Sequence, residues 1–215
     1  LAGCTAILAV GAVGSFREDL PPGSFALIGQ LVDETRARPA TFFGDGLVAH
    51  ISIAEPFSRK LSDLLYETVR EAGGTAHKGG TFITVEGPRF STKGESHTFR
   101  QWGMSIIGMT SSPETYLARE AEMHYAVMAH VTDYDVWHEQ EEPVTVEMVV
   151  AIMHQNLEIA QRAVALAVER LAASPEDYRD EAIENALATA IITDKNVVPA
   201  ETLERLKPIV GKYFS

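Results

Sequence analysis

Apolar and polar positions along this chain fall into blocks whose period switches between that of a strand and that of a helix. Cys4–Val13 (CTAILAVGAV) is a continuous apolar run, the pattern of a strand buried on both faces of a sheet. Gly11 and Gly14 predict a tight turn at its end, where backbone can approach a ligand. After the Pro21-Pro22-Gly23 turn, Phe25–Val32 reads as a second strand. Arg36–Gly46 is polar and contains glycine, so it reads as a surface loop, and His50–Ile53 reads as a strand leading to an exposed turn. Ser58–Glu71 places Leu61, Leu64, Leu65 and Val69 at helical spacing and stops at Gly73-Gly74. Gly80–Val85 returns to strand.

Thr92-Lys93-Gly94-Glu95 fits a capping box that opens the next helix. Ser105–Met109 is a short strand. Ser112-Pro113-Glu114 supplies a cap, a proline at the first helical position and an acid near the positive end of a helix. Tyr125–Val131 is another apolar strand, and Val144–Leu171 is a long amphipathic helix. Ser174-Pro175-Glu176 opens a further helical stretch, and Pro199–Val210 is the last. Strands alternating with helices predict an α/β fold, a central sheet with helices on its faces.

Composition narrows the picture. The 215 residues suffice for one large α/β domain, 1–215, with 46% hydrophobic and 22% charged residues. A net charge of −12 speaks against a nucleic-acid partner, yet backbone amides and a few polar side chains can still hold a small anion. Cys4 is the single cysteine, so no internal disulfide forms and a cytoplasmic location is the default. No apolar run approaches membrane-spanning length, and Leu1–Val13 lacks the basic lead of a signal peptide. The chain starts with Leu1, directly in a strand-like run, and is expected to lack an N-terminal portion. The seven histidines show no metal-ligand spacing, so no metal site is expected. Walker, GxSxG and HExxH signatures are absent, and the loose GxG at Gly44–Gly46 leads into no helix.

Four places carry candidate chemistry. Val10–Ser15 is either a simple chain reversal or an anion cradle of backbone amides. Glu86–Ser91 lies at a strand end, where Phe90 could stack on a planar base and Ser91 hydrogen-bond it; the bland alternative is a capped turn with a Glu86–Arg89 pair. Gly108-Met109-Thr110 ends an apolar strand, where α/β folds place ligands. Thr132-Asp133-Tyr134-Asp135 puts two acids at a strand end. They are either turn residues or a proton donor with its partner, since neighbouring carboxylates push each other's pKa values apart.

Together and in order, VGAVGS (10–15), HISIAEPF (50–57), VEGPRFST (85–92), WGMSIIGMT (102–110), PETYLAREAEMHYA (113–126) and TDYDVW (132–137) resemble the methylthioadenosine phosphorylases, within the trimeric purine nucleoside phosphorylases. The similarity runs from about Leu1 to about Val149 and fades after Leu171. The resemblance implies a three-layer fold with a central mixed sheet covered by helices, and phosphorolysis of 5'-methylthioadenosine to adenine and 5-methylthioribose 1-phosphate. Action on 6-oxopurine nucleosides, or a non-catalytic fragment, are the alternatives. Phosphate is implied as a co-substrate, with no cofactor, and a homotrimer as the working unit.

By the same resemblance, Gly11 and Ala12 touch phosphate through the backbone and Thr110 through its hydroxyl. Met109 lies against the ribose, Phe90 and Ser91 in the base pocket, and Asp133, Tyr134 and Asp135 around the adenine. Asp133 is the implied acid at N7. Val146 and Val149 line the 5' pocket, and His50 reaches a neighbouring subunit's sugar. Relatives that prefer 6-oxopurines carry Glu at the place of Ser91 and Asn at that of Asp133. The family also has an earlier phosphate-binding segment, with a hydroxyl residue and an Arg-His pair, that this sequence does not contain.

Overall fold

The computed structural model describes residues 3–138 and 145–214. In chain order the elements are β1 (Ala6–Ser15), β2 (Phe25–Leu27), β3 (Gln30–Glu34), α1 (Arg59–Glu71), β4 (Ala76–Lys78), β5 (Thr81–Val85), α2 (Lys93–Gln101), β6 (Ile106–Gly108), α3 (Ser111–Glu120), β7 (His124–Asp133), α4 (Val146–Ala173), α5 (Glu181–Glu184) and α6 (Ala200–Val210). Short 3-10 turns cover Pro175–Tyr178, Lys195–Val197 and Gly211–Tyr213. The described strands form one mixed sheet of seven, ordered β3-β5-β6-β1-β7-β2-β4.

β7 lies inside the sheet, between β1 and β2. Every one of its ten residues is buried, because alternate side chains feed two opposite cores. Ala126 and Met128 pack with Leu61, Leu64, Leu65 and Val69 of α1 and Ala160, Ala163 and Ala167 of α4. Tyr125, Val127 and Val131 pack with Val13, Phe82, Ile106 and, from α3, Ala118. The small residues along α4 let it lie close to the sheet, while the leucines of α1 supply bulk, each contributing about 1.5–3 kcal/mol when fully buried. A separate apolar cluster joins Leu47 to Leu187, Leu206 and Val210, tying the C-terminal helices to the loop before α1.

Most predicted elements are present, and the exceptions have physical causes. Phe25–Val32 is two strands, not one. β2 pairs with β7 and β4, whereas β3 pairs with β5 at the opposite edge of the sheet. Ile28 between them is itself in the core, so the apolar run continues across the break. No strand forms at His50–Ile53; an isolated bridge joins Ala49 to Ile191. That segment is held instead by buried Arg119, which donates to the carbonyls of Ser52 (3.0 Å) and Glu55 (2.7 Å). The three-residue edge strand β4 carries no apolar signal and was not foreseen. Ser112 is extended (φ −103°, ψ 134°), so the regular turns of α3 begin at Pro113, the expected first helical position, but the Ser112 hydroxyl makes no capping bond. The predicted start of the long helix at Val144 lies outside the described residues; Thr145 caps α4, its hydroxyl accepting from the Met148 amide. Full burial of the first strand does not hold, for Val10 is 47% exposed.

His130 is an anomaly in this core. It is buried on β7, both ring nitrogens lack a hydrogen-bond partner, and its ring meets the edge of Phe25 at 4.7 Å. Burial pulls its pKa below the usual histidine value, so the folded protein keeps it neutral. An unfolded chain takes up the proton near pH ~6.5. Stability from this site is therefore full above that pH and declines as pH falls below it. His130→Met, of similar bulk, is expected to lose less stability than the wild type between about pH 7.5 and 5.5. Urea unfolding of both proteins at the two pH values measures this, and carboxylate contributions common to both cancel. An equal acid-induced loss would contradict it.

Candidate active site

Strands β1, β5, β6 and β7 bring their carboxyl ends to one cavity of about 250 Å³. Sheet register makes this convergence. β1 runs parallel to β7 for most of its length, then an irregularity between Val13 and Gly14 sets Gly14 opposite Asp133. On its other side β1 meets β6 only at Gly14–Ile107 and Ser15–Ile106. The predicted turn at Gly11–Gly14 does not occur, since the strand continues through Ser15. Close approach does occur. A Cβ on Gly14 would lie 2.8 Å from Asp133 Oδ1, and one on Gly11 would lie 3.3 Å from Thr110 Oγ1.

Asp133 ends β7 and is 9% exposed. Its Oδ2 accepts from the Thr132 hydroxyl at 2.7 Å, and its Oδ1 from the Asp135 amide at 2.7 Å. The second bond closes a local turn of the kind Asp favours. The turn and the candidate chemistry are thus two roles of one side chain. Burial pushes the Asp133 pKa above the usual carboxylate range; the two hydrogen bonds oppose that rise and the nearby Asp135 charge adds to it. Asp135 sits in the left-handed region (φ 53°), a conformation Asp tolerates better than most residues. Burial raises its pKa as well, and its Oδ2 has no hydrogen-bond partner. Two buried carboxyls with raised pKa values are an arrangement suited to holding and moving a proton.

Across the cavity, Thr110 occupies the N-cap position of α3, yet its side chain bonds none of the helix amides. The hydroxyl faces Gly11 instead, beside Ala12. Phe90 and Ser91 line the same cavity with Met109 and Val149. Their loop is held by the predicted capping box, Thr92 with Glu95, which Arg89 reinforces through two bonds to the Glu95 carboxylate at 2.7 and 2.6 Å. The alternative Glu86–Arg89 pair is therefore absent, and Glu86 pairs with Arg38.

Of the residues singled out in the sequence, Ala12, Phe90, Ser91, Met109, Thr110, Asp133, Asp135 and Val149 line this cavity, with Gly11 beside it. Three do not. Tyr134 lines a second cavity of about 340 Å³, behind the two aspartates, with Met148 and Ile152; its ring stacks on His138 at 4.9 Å and its hydroxyl donates to the Glu18 carbonyl. Val146, one turn of α4 before Val149, is 62% exposed. His50 is exposed and contributes only its amide, to the Ala190 carbonyl at 2.8 Å. Sequence reasoning missed Arg38 and Trp137. The indole of Trp137 donates to the Ser15 carbonyl at 2.7 Å beneath the Arg100 guanidinium, bracing the turn after Asp135. Among the described residues, no three of His, Cys, Asp and Glu gather as a metal-holding group. No helix among them is long and apolar enough to cross a membrane.

A mixed sheet that places acids, a hydroxyl and an aromatic ring round one pocket belongs to an α/β protein that receives a small ligand at its strand ends. Residues 1–172 match the family model of the Phosphorylase superfamily, and the chain belongs to that family. It is 49% identical over 212 residues to an S-methyl-5'-thioadenosine phosphorylase of Geobacter sulfurreducens, covering 98% of this chain and 73% of that one. A protein of the same name from Koribacter versatilis is 46% identical, with 99% and 71% covered. Among solved structures, a methylthioadenosine phosphorylase from an antarctic soil metagenomic library superposes with a TM-score of 0.89 at 38% identity, over 96% of this chain and 72% of that one. The methylthioadenosine phosphorylase of Schistosoma mansoni, in complex with adenine, superposes with a TM-score of 0.83 at 33% identity, over 88% and 73%.

Proposed function

We propose that this protein catalyses phosphorolysis of 5'-methylthioadenosine, yielding adenine and 5-methylthioribose 1-phosphate. The observation that carries the reading is buried Asp133, its pKa raised, at the wall of a cavity whose other side offers an uncommitted Thr110 hydroxyl. Similarity to relatives of that activity supports it.

In this reading, Thr110 and the backbone of Gly11 and Ala12 hold phosphate; the missing Cβ of Gly11 leaves room beside the hydroxyl. The sugar lies on Met109, and the base between Phe90 and Ser91. As the glycosidic bond breaks, cationic character develops at the anomeric carbon and negative charge on the base. Phosphate oxygen bonds to that carbon while the Asp133 proton passes to N7, so the base leaves neutral. General acid catalysis of this kind contributes about 10²–10⁴-fold. A carboxyl oxygen can also accept from the 6-amino group, which favours adenine over 6-oxopurines. Val149 gives the methylthio group an apolar wall and leaves a 5'-hydroxyl without a partner, a discrimination of about 1–3 kcal/mol.

We extend the reading to a cytoplasmic homotrimer in which His50 serves a neighbouring subunit's site. The exposure of His50 and its absence from the lining of its own cavity support that placement. Three-fold closure repeats one heterologous contact, so each site would borrow the same residue. The test of the activity is product analysis with and without phosphate. Adenine is expected to appear only with phosphate, arsenate replacing it. Equal release in phosphate-free buffer would favour a hydrolase, and binding of methylthioadenosine without turnover a non-catalytic protein.

A further inference from the structure

Arg38 lies in the loop between β3 and α1, outside the cavity lining, yet every N–H of its guanidinium is engaged. Nε donates to Glu86 Oε1 at 2.9 Å. One terminal nitrogen donates to the carbonyls of Met109 and Ser112, both at 2.6 Å. The other donates to the carbonyls of Val85 (3.4 Å) and Glu86 (2.9 Å). A guanidinium has five donors in a fixed plane, and here all five are used. Its partners lie where β5 enters the Phe90–Ser91 loop and where β6 passes through Met109 and Thr110 into α3. The remaining Glu86 oxygen accepts from the amides of Arg36 (2.6 Å) and Ala37 (3.1 Å), closing the loop onto the same point. These amides and the guanidinium hold the Glu86 pKa at about 2, so the carboxylate stays charged at any working pH.

We propose that Arg38 is a positioning residue that sets the Met109–Thr110 segment relative to the Phe90–Ser91 loop, and so aligns the phosphate-side and base-side halves of the cavity. This rests on the phosphorolysis reading for its kinetic consequence, not for its geometry. Lysine cannot substitute, because an ammonium offers three donors from a point and cannot reach four carbonyls and a carboxylate in one plane. The carbonyls of Met109 and Ser112, which flank Thr110, then lose the two bonds that fix the start of α3. A displacement of the order of 1 Å between reacting groups costs about 10²-fold in rate.

The test uses Arg38→Lys and Arg38→Ala in the full chain. Arg38→Lys is expected to lower kcat by about 10- to 100-fold and to raise KM for phosphate more than KM for nucleoside. Millimolar guanidinium is expected to restore part of the activity of Arg38→Ala, which a general loss of stability would not allow. Hydrogen exchange gives a readout independent of turnover: amides at 109–112 are expected to exchange faster in Arg38→Lys, while those of α1 and α4 do not. A wild type that never turns over would sink the phosphorolysis reading and leave the exchange result to judge the clamp. Wild-type kcat and phosphate KM in Arg38→Lys, unchanged exchange at 109–112, or a defect in Arg38→Ala that no guanidinium relieves, would overturn the proposal.

Discussion

Asp133→Asn is expected to lower kcat/KM for methylthioadenosine by about 10²–10⁴-fold without unfolding the protein. The fold tolerates the change because its hydrogen bonds can be re-made. The amide oxygen still accepts from the Asp135 backbone, and the new NH2 faces the Thr132 hydroxyl. That hydroxyl also lies 3.2 Å from the Val13 carbonyl, so it can donate there and accept from the amide. What is lost is the ionisable proton whose pKa burial raises. An amide cannot give a proton to N7 and leave the base neutral. It can donate a hydrogen bond to a 6-oxo group, so inosine is expected to fall less than methylthioadenosine, or to gain. Steady-state kinetics on both nucleosides at saturating phosphate measures this. Wild-type turnover of methylthioadenosine in the variant would remove Asp133 from its role.

Gly14→Ala is expected to approach the same loss through a single methyl group. The backbone at Gly14 can take alanine, since it is not left-handed. Space is the obstacle. The new Cβ would sit 2.8 Å from Asp133 Oδ1, 3.1 Å from Ile107 Cγ2 and 3.3 Å from Asp135 Cβ. Ile107 is buried in the sheet, so the carboxylate is the partner that yields. Its displacement is expected to cost about 10²-fold in kcat, with about 1–3 kcal/mol of stability lost to overpacking. Gly11→Ala, whose Cβ would meet the Thr110 hydroxyl at the looser 3.3 Å, is expected to be milder and to act on phosphate affinity. A fully folded Gly14→Ala protein with wild-type kcat would show that the Asp133 position seen here is not the reacting one.

The same residues mark what could be read from sequence and what could not. Helix α1 was legible because its apolar spacing and its Ser58 cap point the same way, and α2 because Thr92 and Glu95 name its first turn. Asp133 was legible because two acids after an apolar strand need a reason. The break between β2 and β3 was not, because buried Ile28 extends the apolar run of β2. Gly14 was read as turn-forming freedom, whereas its role is the absence of a side chain against Asp133, a constraint set by a strand more than a hundred residues away. Arg38 looked like one charge in a polar loop, since its five partners belong to two other segments, 85–86 and 109–112. Of the residues the resemblance implied, eight line the cavity and Gly11 lies beside it, while Val146, Tyr134 and His50 do not line it.

The central claim, that phosphate and not water takes the sugar, is tested most directly by stoichiometry. Purified protein is given methylthioadenosine and a limiting amount of phosphate, and adenine, free phosphate and phosphorylated sugar are quantified as the reaction runs to its end. The account predicts one adenine released and one 5-methylthioribose 1-phosphate formed for each phosphate consumed, with the reaction stalling when phosphate is removed and reversing when both products are supplied. Continued adenine release with phosphate unconsumed and free methylthioribose as the product would contradict it.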